Sequence, residues 1–101
     1  MERTHPSPVD EALRVLLTEP SYAAQTLIVA ARMLEMDAGQ PVTGLACEHA
    51  IDIAADAILG QLPDPVSEDS LARLYRVLPP LATVSRGEYA LRLRAAAKEL
   101  G

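Results

Sequence analysis

Apolar residues in this chain recur at helical rather than alternating spacing, and in two segments they do so on more than one face. Over residues 22–36, Leu27, Ala31 and Leu34 make one stripe, and Val29, Met33 and Met36 make a second. The segment over 44–60 is apolar on more than one side as well. An ordinary surface helix carries a single apolar stripe. A helix with two must be covered on both sides, and a chain of 101 residues has few other elements to cover it with. The surplus predicts a partner, either a second copy of the chain or a different protein.

Punctuation residues place the remaining elements. Residues 1–6 are expected to be a disordered N-terminus. Ser7, Pro8, Asp10 and Glu11 read as a helix start: a cap, a proline in the first helical position and acids that complement the dipole. Val9, Leu13, Leu16 and Leu17 follow at helical spacing, and Pro20 ends that helix. Ser21 starts the next, which Gly39 and Pro41 stop. Thr43 caps a third helix that ends at Gly60, with Pro63 and Pro65 preventing its continuation. The short link over 38–43 makes the second and third helices an antiparallel hairpin over 21–60.

Two helices are expected beyond the hairpin. One opens at Ser67 and runs to Leu78, with Leu71, Leu74, Tyr75 and Leu78 on its inner face, and Pro79 and Pro80 break it. The other covers 86–100 behind a capping box made by Ser85 and Glu88, with Tyr89, Leu93, Ala96 and Leu100 inward. The expected fold is all-α: one domain over 7–101, a small bundle of about five helices built on a central antiparallel helical hairpin.

Composition narrows the function. Half of the residues are apolar, yet there is no Phe or Trp and only three Tyr. The core is therefore aliphatic, and Ala is dense in both hairpin helices. Small residues let helix backbones approach closely, which suits tight packing and leaves little room for a ligand cavity. Net charge is −5, against nonspecific attraction to nucleic acid. The charge is uneven: residues 1–65 carry three Arg against ten acids, and residues 66–101 carry six basic groups against four acids. A lone Cys47 among apolar neighbours reads as a small buried hydrophobe, with no adjacent cation to activate it. The polar N-terminus lacks the apolar run of a signal peptide, and no segment reaches the length of a membrane span, so a cytoplasmic protein is expected. The preference for Arg over Lys, with abundant Ala, points to a GC-rich bacterial genome.

Three constellations invite chemistry. Glu48, His49, Asp52 and Asp56 can approach one another on a helix, and His with carboxylates binds transition metals. A di-iron bundle needs a second Glu-x-x-His helix, which is missing. The competing reading is a solvated or partner-facing acidic surface. Arg73, Arg76, Arg86, Arg92, Arg94 and Lys98 form a basic set. It reads as a DNA-binding face, as a partner contact or as charge paired with the acidic body; a helix-turn-helix context is absent. Ser7, Ser21, Thr43, Ser67 and Ser85 all stand at expected helix starts, so capping accounts for them and none is a nucleophile.

By the end of the hairpin, with SYAAQTLIVAARMLEMDAG over 21–39 and TGLACEHAIDIAADAILG over 43–60, the chain resembles the quorum-sensing anti-activators. These are short cytosolic helical proteins that bind acyl-homoserine-lactone receptor transcription factors and block them. The resemblance spans roughly residues 9–62 and rests on size, acidity and these two stretches. It assigns no individual residue. It implies inhibition by occupying the receptor's dimerisation surface.

The sequence thus leads to a non-enzymatic regulator with no cofactor or metal, no membrane and no nucleic-acid partner. Its expected partners are itself, as a homodimer, and another protein such as a transcriptional regulator. Expected partner-binding residues are Tyr22, Val29, Met33 and Met36, on one side of the second helix. The alternatives are a small DNA-binding regulator using the basic C-terminal helix and, more distantly, a metal-dependent enzyme.

Overall fold

The computed structural model describes residues 20–101. The tail expected over 1–6 and the helix expected over 7–19, with Ser7, lie outside the described residues. Four helices fill the described chain: α1 (Tyr22–Glu35), α2 (Gly44–Leu59), α3 (Asp64–Val77) and α4 (Arg86–Leu100). Among the described residues there is no strand, only an isolated bridge between Pro41 and Ser85. The all-α expectation holds, and four of the five expected helices fall within the described residues.

Helix starts follow the capping residues. The hydroxyls of Ser21, Thr43 and Ser85 accept from the backbone N–H groups of Ala24, Ala46 and Glu88, at 3.2, 3.0 and 3.1 Å. Each satisfies one of the donors that a helix leaves open in its first turn. Only half of the expected capping box forms, because the Glu88 carboxylate turns to Arg92 at 3.6 Å. The start of α3 is a correction. It begins at Asp64, not Ser67, and Ser67 caps nothing: its N–H donates to the Pro63 carbonyl within the first turn. Pro65, expected to block a helix, sits inside that first turn. A proline is accommodated there because its missing N–H would have had no partner anyway.

The centre of the molecule is α1. Its inner side, from Ala23 and Leu27 to Ala31 and Leu34, is fully buried. The expected stripe of Leu27, Ala31 and Leu34 is therefore the core side. Against it lie α2, with Ala50, Ile51 and Ala54, and α4, with Tyr89, Ala90, Leu93 and Ala97. The hairpin of α1 and α2 is present, but α1 packs more extensively on α4 than on α2. Both neighbours run antiparallel to α1. At one end the Ser21 N–H donates to the Gly101 carbonyl at 2.8 Å, and at the other the Gly87 N–H donates to the Ala38 carbonyl at 2.9 Å. Leu74 of α3 completes the core. Tyr75, expected beside it on the inner face, is instead exposed. Neighbouring positions on a helix point about 100° apart, and the inward direction of α3 passes through Ser70 and Leu74.

A clamp holds the hairpin tip to the start of α4. The Val42 N–H donates to the Val84 carbonyl at 3.0 Å, and the Arg86 N–H to the Gln40 carbonyl at 2.7 Å. Arg86 adds a bond from Nε to the Pro41 carbonyl at 3.2 Å and an ion pair with Asp37 at 3.8 Å. The backbones approach so closely that a Cβ on Gly87 would sit 3.0 Å from the Ala38 Cβ. Further down, the buried Tyr89 hydroxyl donates to the Pro79 carbonyl at 2.7 Å, fixing the chain that leaves α3.

Candidate partner-binding face

The outer arc of α1 is built by the same periodicity that builds its core side. Tyr22, Val29, Met33 and Met36 return to one side of the helix at spacings of seven, four and three residues. Tyr22 is 46% exposed and Met36 is 81% exposed. Val29 and Met33 are half-buried, with part of each side chain packed on the core. The four positions share one side of the helix, exposed at its ends and half-buried in the middle. The helix beneath is well anchored. Thr26, fully buried, donates its hydroxyl to the Tyr22 carbonyl at 2.8 Å, and the Gln25 side chain reaches the Pro20 carbonyl at 2.9 Å.

Open clefts flank this arc. Towards the hairpin tip, Met33 shares one with Leu45, Ala46 and His49 of α2, where Asp37 and Arg86 supply the polar side. Towards the start of α1, Ile28, Val29 and Arg32 line another with Ile58 of α2. Ile28 also faces Ala24, Ala97 and Lys98 in a third cleft, towards α4. Sequence reasoning placed Ile28 in neither stripe, and it left Leu45 and Ile53 unassigned. Leu45 is 80% exposed on α2. Its position opposite the buried Cys47, Ala50 and Ala54 was readable from the helical period.

Charge frames the face and is mostly spoken for. Arg94 of α4 donates through Nε and Nη2 to the two carboxylate oxygens of Glu35, at 2.9 and 2.7 Å. These hydrogen bonds hold the Glu35 carboxyl below its ordinary value and the Arg94 guanidinium above its own. Arg86 pairs with Asp37 and Arg92 with Glu88. Three members of the basic set are therefore tied to acids of the same chain. Arg73, Arg76 and Lys98 are exposed.

Glu48, His49, Asp52 and Asp56 all stand on the exposed side of α2. Among the described residues no group of three or more His, Cys, Asp or Glu is placed to hold a metal ion. Cys47 is buried, and burial pushes its thiol above the ordinary value. The same burial raises the Tyr89 hydroxyl, which faces Cys47. A thiol raised in this way is a poor nucleophile near neutral pH. No helix among the described residues is long and apolar enough to cross a membrane.

No protein-family model, no curated protein and no solved structure matches the chain.

Proposed function

We propose that this protein is a small protein-binding regulator that inhibits a partner by occupying the partner's interaction surface with the outer arc of α1. The observation that carries the reading is the division of α1: Leu27, Ala30 and Ala31 are fully buried on one side, while Tyr22 and Met36 stand exposed on the other, with Val29 and Met33 between them. Desolvated apolar and aromatic anchors dominate binding energy, and rim charges contribute less. Tyr22 and Met36 mark the ends of an α1 arc that another protein's apolar groove would cover. The resemblance of the hairpin to quorum-sensing anti-activators makes an acyl-homoserine-lactone receptor transcription factor the first partner to test.

The DNA-binding alternative draws less support. The C-terminal helix spends Arg86, Arg92 and Arg94 on ion pairs within the chain, so few of its charges are free for phosphate. A metal-dependent reaction has no arranged ligand set among the described residues.

The test is a titration of the purified protein against the ligand-binding domain of such a receptor, read by calorimetry and by the receptor's DNA binding. The expected result is a stoichiometric complex and loss of DNA binding. Absence of binding to receptors of this class would remove them as partners. Binding that survives Tyr22→Ala combined with Met36→Glu would remove α1 as the contact.

A further inference from the structure

Pro20, the first described residue, stands where two clefts meet. It lines one with Ala24 and Ile28 of α1 and with Ala97 and Lys98 of α4. It lines the other with Gln25, Ile28 and Arg32 of α1 and with Ile58 of α2. Ile28, half-buried, belongs to both. Ala24, Ile28 and Arg32 follow one another at four-residue spacing, so they run along one side of α1. The two clefts are therefore the halves of one trough that starts at Pro20 and follows α1, with Ile28 at its middle.

Nineteen residues precede Pro20, and their pattern suits this trough. Val9, Leu13, Leu16 and Leu17 make a single apolar stripe at helical spacing, behind the helix start at Ser7 and Pro8. A helix of about 12 residues is marginal in water by itself and forms where its apolar face is covered. Only Glu19 and Pro20 separate its expected end from Ser21. Links this short set neighbouring helices antiparallel. Residues 7–18 would rise about 18 Å and the 14 residues of α1 about 21 Å, so the trough is long enough.

We infer that residues 7–18 fold back as a helix antiparallel to α1 and fill this trough. The register follows from the link. Leu13 comes level with Ile28, between the two clefts. Leu16 and Leu17 point about 100° apart: Leu16 turns into the cleft with Ala24 and Ala97, and Leu17 into the cleft with Gln25 and Ile58. Val9 covers the stem of Arg32. The charges agree with this placement. Asp10 stands on the Leu17 flank of the stripe and comes level with Arg32. Glu19 joins Pro20 at the mouth of the cleft that Lys98 lines. The ion pairs among the described residues include neither Arg32 nor Lys98. Glu11, Arg14 and Thr18 face outward, and Val15 alone of the large apolar side chains stays uncovered. The filled trough borders the partner-binding arc at Val29, but the inference stands without that reading.

The experiment is nuclear magnetic resonance on the full chain, with isotope-filtered spectra of a mixed labelled and unlabelled sample. Helical chemical shifts are expected over 9–18, with contacts from the Leu13, Leu16 and Leu17 methyls to Ile28, Ala97 and Ile58 of the same chain. Leu13→Asp is expected to return 9–18 to coil shifts and to lower the melting temperature, while the contacts between α1 and α4 persist. Ile28→Ala, on the other side of the contact, is expected to quicken hydrogen exchange over 9–18 several-fold with the core contacts kept. Coil shifts over 9–18 in the wild-type chain overturn the inference. Contacts found only between chains overturn it too, by giving the trough to the same segment of a second copy. So does a Leu13→Asp variant whose shifts over 9–18 and melting temperature match wild type.

Discussion

Arg94 of α4 grips both carboxylate oxygens of Glu35 on α1, at 2.9 and 2.7 Å, across 59 positions of sequence. The pair ties the two most extensively packed helices together on the side of α1 that meets α4. For Arg94 this is the pairing with the acidic body that was one of the readings of the basic set. Reversing its charge would set a carboxylate against Glu35 and disturb the helix pair, so Arg94→Glu is not a clean probe of partner binding.

The pair sets an acid limb on stability. The Glu35 carboxyl is held below its ordinary value of 4.5, chiefly by the hydrogen bond from Arg94. A carboxyl depressed on folding contributes stability above its unfolded value and loses it as pH falls through the folded value. Glu35→Gln should therefore lower the melting temperature by a few degrees at neutral pH. The gap to wild type should close as pH drops below 4.5 towards the depressed value. Both side chains are about a third exposed, so added salt should shrink the effect. Melting curves from neutral to acidic pH, at low and high salt, check this. A gap independent of pH would show that the ion pair contributes nothing to stability.

The hairpin seam is tested at Ile51, which is 3% exposed against α1. Ile51→Asp buries an unpaired carboxylate and removes a large apolar side chain. The cost is on the order of 3 kcal/mol or more, a large part of the stability of a domain this small. Circular dichroism should show a collapsed or strongly lowered transition. A folded variant with an unchanged melting temperature would place Ile51 outside the core.

Much of this architecture is legible in the chain, for reasons that are local. Ser21, Thr43 and Ser85 announce helix starts because a cap needs only its own next three residues. The core stripe of Leu27, Ala31 and Leu34 follows from the helical period alone. What was missed depends on the rest of the molecule. Pro65 reads equally as a breaker and as a first-turn residue, and only the covering of Leu59 and Leu74 decides between them. Tyr75 sits one position from Leu74, so a small rotation of α3 turns it outward. The clamp from Val42 to Val84 is made by backbone groups and leaves no side-chain signature. The outer arc was readable as a face, but how deeply each residue sits was not, because the partial burial of Val29 and Met33 depends on the helices packed beside α1.

Tyr89 joins α4 to the break after α3. Its hydroxyl is buried and donates to the Pro79 carbonyl at 2.7 Å. Tyr89→Phe keeps the ring's packing and removes this bond, which should cost about 1 kcal/mol. Hydrogen exchange should then quicken in α3 and the residues up to 84 more than in the α1–α2 hairpin. Uniformly faster exchange would mean that the bond supports the whole fold and not the α3 junction.

The outer arc of α1 can be separated from folding because its residues differ in exposure. Met36 stands largely free, so Met36→Glu should leave helix content and melting temperature close to wild type. Tyr22 is 46% exposed and lines a cleft with Val66, Asp69 and Arg73 of α3, so Tyr22→Ala should keep the helix content and cost a little stability. Val29 and Met33 pack partly on the core, so Val29→Glu and Met33→Glu should lower stability as well as binding. If this arc seats a partner's groove, all four variants should weaken the complex, the two glutamates nearest the centre by about a hundredfold, as loss of a central anchor does. Lys98→Glu, at the exposed rim beside Ile28 and Ala97, should change affinity by only a few-fold, and that change should fade as salt rises. Calorimetric titration of each variant at two ionic strengths separates the cases. A complex indifferent to Tyr22→Ala and Met36→Glu, yet abolished by Lys98→Glu, would move the contact from the apolar arc of α1 to the basic end of α4.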